Sequence, residues 1–109
     1  MPKTTIFSAK VNAGDGFSSP VPLADLPGWT VYKSEQTEIY IITHNLNLSN
    51  PERELHVVAT SMDPRAHVVI GGLTANSFTV SAWTSDLAAI ATDFMFVAVH
   101  EVHGRMGRK

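Results

Sequence analysis

The sequence predicts an all-β fold, a small antiparallel β-sandwich of six to seven strands with an extended N-terminal arm. Three observations predict it. Short segments rich in β-branched and aromatic residues recur along the chain, turn residues separate them about every 8–15 residues, and no ten-residue segment has a convincing helical pattern. With 109 residues, the chain has room for one hydrophobic core.

The N-terminal part is expected to form a short strand and then an arm. Lys3 to Val11 alternates weakly, and residues 12–16 tolerate the backbone angles of a turn. Three prolines within residues 18–28 remove backbone donors, which excludes a central strand there. We expect this segment to be extended and to lie over the domain or over a neighbouring subunit.

The middle of the chain is expected to contribute four strands. Residues 29–33 and 38–44 alternate large and polar side chains. The Asn-rich segment 45–51 is typical of a loop, because Asn and Ser side chains bind their own backbone. Residues 55–61 and 66–70 follow, and the turn residues between them predict that these two strands pair as a hairpin.

The C-terminal part is expected to hold the central strand. Residues 76–83 place Phe78, Val80 and Ala82 on one face and mostly polar side chains on the other. Residues 85–91 are predicted to form a loop that can hold one helical turn. Residues 93–101 are apolar on both faces, so this strand is central or its second face contacts another subunit.

Composition excludes several functional classes. The formal net charge is −2 and the basic residues are scattered, apart from the last few positions, so we expect no nucleic-acid partner. The chain has no Cys, which excludes disulfides and thiolate chemistry. We expect no signal peptide and no membrane insertion. The expected organisation is a strand and proline-rich arm over 1–28, the sandwich domain over 29–103 and a basic tail over 104–109.

The five histidines do not form a recognisable metal motif. His100 and His103 are three residues apart on a predicted strand, so their side chains point to opposite faces, whereas zincins use a helical spacing of four. We expect ordinary surface histidines, no metal, no cofactor and no catalytic residues. The remaining alternative is a small enzyme or metal protein in which several of these side chains converge: His44, His56, His67 and His100.

A ligand site is predicted around Trp83. A tryptophan can stack on the apolar face of a sugar while short polar side chains bind the sugar hydroxyls. Ser81, Thr84 and Asp86 supply such groups at the end of the strand and the start of the following loop. The alternative is that Trp83 fills one end of the sandwich or a seam between subunits.

Three segments resemble a known family. Residues 55–59, 73–80 and 94–99 are similar to the C-terminal half of H-type lectin domains and to the lectin-like modules of phage tail fibres. Residues 40–46, Tyr-Ile-Ile-Thr-His-Asn-Leu, resemble an element of phage virion proteins. The tryptophan that H-type lectins carry in their last strand is absent between Phe94 and Val99.

The resemblance implies a particular function. It implies a non-enzymatic virion structural protein of tail fibre, head fibre or decoration type, assembled in the host cytoplasm as a homo-oligomer, and we expect a trimer. Its implied partners are other virion proteins and surface glycans. The alternative is an H-type lectin-like carbohydrate-binding module.

Overall fold

The computed structural model describes residues 3–14, 19–23, 25–33, 39–90 and 92–102. The expected basic tail, 104–109, lies outside them. The strands in these ranges are β1 (Lys3–Val11), β2 (Val21–Pro22), β3 (Thr30–Lys33), β4 (Ile39–Thr43), β5 (Leu55–Ser61), β6 (Ala66–Gly71), β7 (Ser77–Thr84) and β8 (Phe94–Val102). A four-residue helix, α1 (Pro51–Glu54), precedes β5. Within the same ranges, no helix has the length and apolar character needed to cross a membrane.

The strands form two antiparallel sheets, which confirms the predicted β-sandwich. One sheet has three strands in the order β1-β8-β5, and the other has five in the order β2-β3-β4-β7-β6. The described part of the chain thus has eight strands where six to seven were predicted. The additional strand is β2, a two-residue strand at the edge of its sheet, where the missing N–H of Pro22 is tolerated.

The predicted hairpin of β5 and β6 is wrong. β5 pairs with β8, from Leu55 opposite His100 to Ser61 opposite Phe94, whereas β6 pairs with β7 in the other sheet. The Met62 N–H donates to the Asp93 carbonyl at 2.9 Å, which continues the β5–β8 ladder one residue into the turn. The turn residues therefore reverse the chain direction, but they also carry the chain from one sheet to the other.

The core lies between the two sheets and is rich in aromatic rings. Trp29 stacks on Phe96 with ring centroids 5.8 Å apart, and Phe7 lies 4.8 Å from Trp29. Phe78 approaches Phe96 edge-on at 5.5 Å. These side chains come from β1, β7, β8 and the residue before β3, so ring contacts join the two sheets. The predicted inward face of β7 is confirmed, since Phe78, Val80 and Ala82 are buried.

The proline-rich arm packs on its own domain. Leu23 and Leu26 are buried and belong to the core cluster. The arm is closed by two backbone hydrogen bonds, from Leu23 N–H to the Trp29 carbonyl at 2.9 Å and from Trp29 N–H to the Leu26 carbonyl at 3.0 Å. Gly28 has φ of 88°, a left-handed conformation that glycine adopts without strain.

Candidate functional site

Trp83 and Ser81 lie together on the outer face of the five-stranded sheet. Both side chains project from β7 on the side away from the buried residues Val80 and Ala82. The Trp83 Nε1–H donates to Ser81 Oγ at 2.9 Å, which fixes the indole against the sheet. His67, on β6, is directly opposite Trp83 in the strand register and is exposed.

The loop after β7 folds back along this strand. The Thr84 N–H donates to the Ala88 carbonyl and the Leu87 N–H donates to the Thr84 carbonyl, both at 2.9 Å. Trp83 forms an isolated antiparallel bridge with Ala89. Residues 85–88 thus form a tight turn rather than a helical turn, and Asp86 is exposed in it.

Thr84 and Asp86 line a cleft that is separate from the indole. The cleft has a volume of about 460 Å³ and is lined by seven residues, Pro64, Arg65, Ala66, His67, Thr84, Ser85 and Asp86. Trp83 is outside this lining. The four residues of the predicted ligand site are therefore divided between the sheet face and the cleft, and His67 borders both.

The charge of the cleft depends on an ion pair at its rim. Arg65 Nε and Nη2 donate to the two carboxylate oxygens of Asp63 at 3.1 and 2.8 Å. Hydrogen bonds from the Arg65 side chain and backbone lower the pKa of Asp63 to about 2. Because Arg65 is bound to Asp63, the carboxylate of Asp86 and the hydroxyls of Thr84 and Ser85 remain as polar groups of the cleft.

The outer face of the three-stranded sheet is unexpectedly apolar. Ile6 on β1, Val58 on β5, and Met95 and Val97 on β8 are 67%, 71%, 44% and 43% exposed. The strand register makes these side chains neighbours, because Val97 is opposite both Ser8 and Val58, and Val99 is opposite both Ile6 and His56. We call this surface the β1-β8-β5 outer face.

The apolar side chains of this face have a polar border. Lys10 pairs with Met95 at one end of the sheet, and Thr4 pairs with Glu101 near the other end. Thr60 and His56 border the face along β5. A groove of about 590 Å³ runs over the face, and its lining includes Asp25 and Leu26 from the arm.

Only part of the β1-β8-β5 outer face could be predicted from the sequence. The prediction that 93–101 is apolar on both sides and central in its sheet is confirmed, since β8 lies between β1 and β5. The positions of Ile6 and Val58 beside it depend on pairing with β8, which no local pattern indicates. The sequence therefore predicts strand β8, but it does not predict the apolar surface that β8 forms together with β1 and β5.

His44 is a buried histidine, which contradicts the expectation of ordinary surface histidines. Its side chain is 3% exposed and packs against the rings of Trp29 and Phe78. The Leu46 N–H donates to His44 Nδ1 at 3.1 Å, so the proton of the neutral ring is on Nε2, which has no hydrogen-bond partner among the residues that the structure describes. Burial, and secondarily the nearby His100, lower the pKa of His44 from 6.5 to about 4.

The other histidines of the described ranges do not converge. His56 Nε2 lies 3.5 Å from the Glu101 carboxylate on the three-stranded sheet, and His67 is on the five-stranded sheet. Among the residues that the structure describes, no group of three or more His, Cys, Asp or Glu side chains is arranged to hold a metal ion.

Comparison with known proteins adds no further candidate. No family model, no curated protein and no solved structure matches this chain. The resemblance to H-type lectin domains and phage virion proteins thus remains a prediction from short sequence elements, and the functional argument depends on the surfaces described above.

Proposed function

We propose that this chain is a non-enzymatic structural protein that works by associating with other copies of itself. The observation that carries the proposal is the β1-β8-β5 outer face, where Ile6, Val58, Met95 and Val97 are adjacent and exposed. The largest contiguous apolar patch on a protein surface is often functional, and patches larger than a few hundred Å² are uncommon on monomeric proteins.

The arrangement of this face supports an interface. Protein interfaces have an apolar centre that excludes water and a polar rim that remains hydrated. Here Val58, Val97 and Val99 occupy the centre, whereas Lys10 and Glu101 are near opposite ends. The face also lies on strands, so its side chains are held in place before a partner binds.

A virion structural role is the form of this function that the sequence elements favour. The resemblance of residues 40–46 to phage virion proteins supports it, and so does the exposed apolar face. A small domain that exposes an apolar sheet face is suited to association with another copy, because the second copy covers a surface that is costly to leave in water. We propose a tail fibre, head fibre or decoration protein in this sense.

The mass in solution tests the proposal. Light scattering after size exclusion is expected to give a mass above 11.8 kDa that falls to the monomer value on dilution. Val58→Lys is expected to weaken association at least tenfold, because it places a charge at the centre of the face. The matched control is Val69→Lys, since Val69 is 50% exposed on the outer face of the other sheet. A monomer at every concentration, or equal effects of both variants, would refute the proposal.

A carbohydrate-binding role is the second candidate, and one observation favours it. His67 borders both the indole of Trp83 and the cleft that contains Asp86, so a ligand could contact the ring and the polar groups together. Isothermal titration calorimetry with simple sugars is expected to give a saturable binding signal in the wild type and none in Trp83→Ala. Val58→Ala, at an exposed position on the outer face of the other sheet, is the control and should bind like the wild type. The absence of a saturable response in the wild type would exclude this candidate.

A further inference from the structure

We infer that the occupant of the β1-β8-β5 outer face is one second copy of the same face, related by a two-fold axis that crosses the strands. The inference rests on the proposed function and names its stoichiometry and geometry. Each three-stranded sheet would then have a second sheet on its outer side, and the pair would form a four-layer stack.

The dimensions of the face fit a second three-stranded sheet. Three strands spaced about 4.8 Å apart, with about 3.3 Å per residue, give a face of roughly 15 by 30 Å. Two such faces bury a total near the lower limit of about 1,000 Å² for specific interfaces. Sheets stack about 10 Å apart with their strands nearly aligned, which allows side chains such as Val58 and Val97 to interdigitate. A dimer of this size is expected to be reversible.

The charges of the face select one of two possible orientations. If the two-fold axis ran along the strands, β8 would lie over the partner's β8 in the same direction, and the two copies of Glu101 would meet. If the axis crosses the strands, the copies are reversed, and the end that carries Lys10 lies over the end that carries Glu101. Asp25 also lines the groove beside Lys10, and His56 lies 3.5 Å from Glu101 at the other end, so each end carries both kinds of polar group. Like charges at an interface are costly, and the reversed orientation is favoured because it separates the two Glu101 carboxylates and places Lys10 near one of them.

Ser8 on β1 and Val58 on β5 both lie opposite Val97 of β8. The two orientations predict different neighbours for Ser8 in the partner subunit. In the reversed dimer β1 lies over β1 and β5 over β5. In the other orientation β1 lies over β5. Because the chain has no Cys, single-cysteine variants report these contacts without background.

Cross-linking of cysteine variants with a bis-maleimide about 10 Å long is the first test, because stacked sheets lie about 10 Å apart and a direct disulfide needs Cα atoms within about 7 Å. Ser8→Cys alone and Val58→Cys alone are each expected to form covalent dimers of twice 11.8 kDa, and a mixture of the two is expected to give few mixed dimers. Mixed dimers as the main product would overturn the reversed orientation. A mass in solution of three copies, which falls to the monomer value in Val58→Lys, would overturn the dimer and leave the proposed function intact.

Charge exchange is the second test. Lys10→Glu and Glu101→Lys are each expected to weaken association several-fold, and the double variant is expected to recover most of the loss. Val69→Lys, on the outer face of the other sheet, is the control and should leave association unchanged. Losses that simply add in the double variant would contradict the pairing of these two ends.

Discussion

At the scale of single residues, His44 has two features that destabilise a folded protein, a buried imidazole ring and a ring N–H that is unpaired among the described residues. Its ring is buried against the rings of Trp29 and Phe78, and its Nε2–H has no acceptor within the described part of the chain. What it provides in return is a hydrogen-bond acceptor for the backbone of Leu46, in a loop where Asn45 and Asn47 both have positive φ. The loop conformation therefore depends on a neutral imidazole.

This dependence predicts lower stability in mild acid. Between pH 6.5 and about 4 the unfolded chain binds a proton on His44 that the folded chain does not, so the free energy of unfolding falls as the pH is lowered. The expected loss between pH 7 and 5 is about 2 kcal/mol. Urea titrations at the two pH values measure it.

The control for this prediction is a histidine on the surface. His44→Leu removes the titrating group and is expected to reduce the pH dependence, although it also lowers stability at pH 7 by removing the acceptor for the Leu46 N–H. His67→Gln changes an exposed side chain and should keep the wild-type pH dependence. If His44→Leu and the wild type lose the same stability between pH 7 and 5, His44 is not the group responsible.

At the scale of elements, the turn after β7 contains a strained residue, Leu87. Leu87 has φ of 65° and is 77% exposed, so a bulky residue occupies the left-handed region without burying its side chain. Leu87→Asn is expected to raise the free energy of unfolding by about 0.5–1 kcal/mol, because Asn tolerates this conformation better. Thermal unfolding monitored by circular dichroism measures the gain.

A second substitution separates backbone strain from exposure. Leu87→Ala removes the exposed apolar side chain but keeps a Cβ at positive φ, so it should give little or no gain. Equal stabilisation by Ala and Asn would show that the exposed leucine, rather than its backbone conformation, is the source of the cost.

The strands also show how much of the fold could be predicted from the sequence. Strands β5, β7 and β8 were placed within about two residues, since β-branched runs and alternation are local properties. The partner of β5 was predicted wrongly, because a turn signal such as Met62 to Arg65 specifies a reversal and not the strand that pairs. The burial of His44 was missed for a related reason: Trp29 and Phe78, which enclose it, are distant in sequence.

At the scale of the whole molecule, the two outer faces of the sandwich differ in how they meet water. On the five-stranded sheet the hydroxyls of Ser77, Thr79 and Ser81 alternate with buried residues along β7. On the three-stranded sheet Met95 and Val97 take the equivalent outer positions on the central strand. The alternation of polar and buried residues along β7 allowed the fold to be predicted. The exposed apolar residues of β8 identify the surface on which the functional proposal depends.

The strand order also determines when the smaller sheet can form during synthesis. β8 is the last described strand, yet it lies between β1 and β5, which hydrogen-bond to it and not to each other. Until the ribosome has released residues 94–102, β1 and β5 lack their ladder partner, and the apolar side chains of both remain open to other nascent chains. Codon usage or pauses near residue 93 would therefore influence the yield of folded protein more than similar pauses before β5.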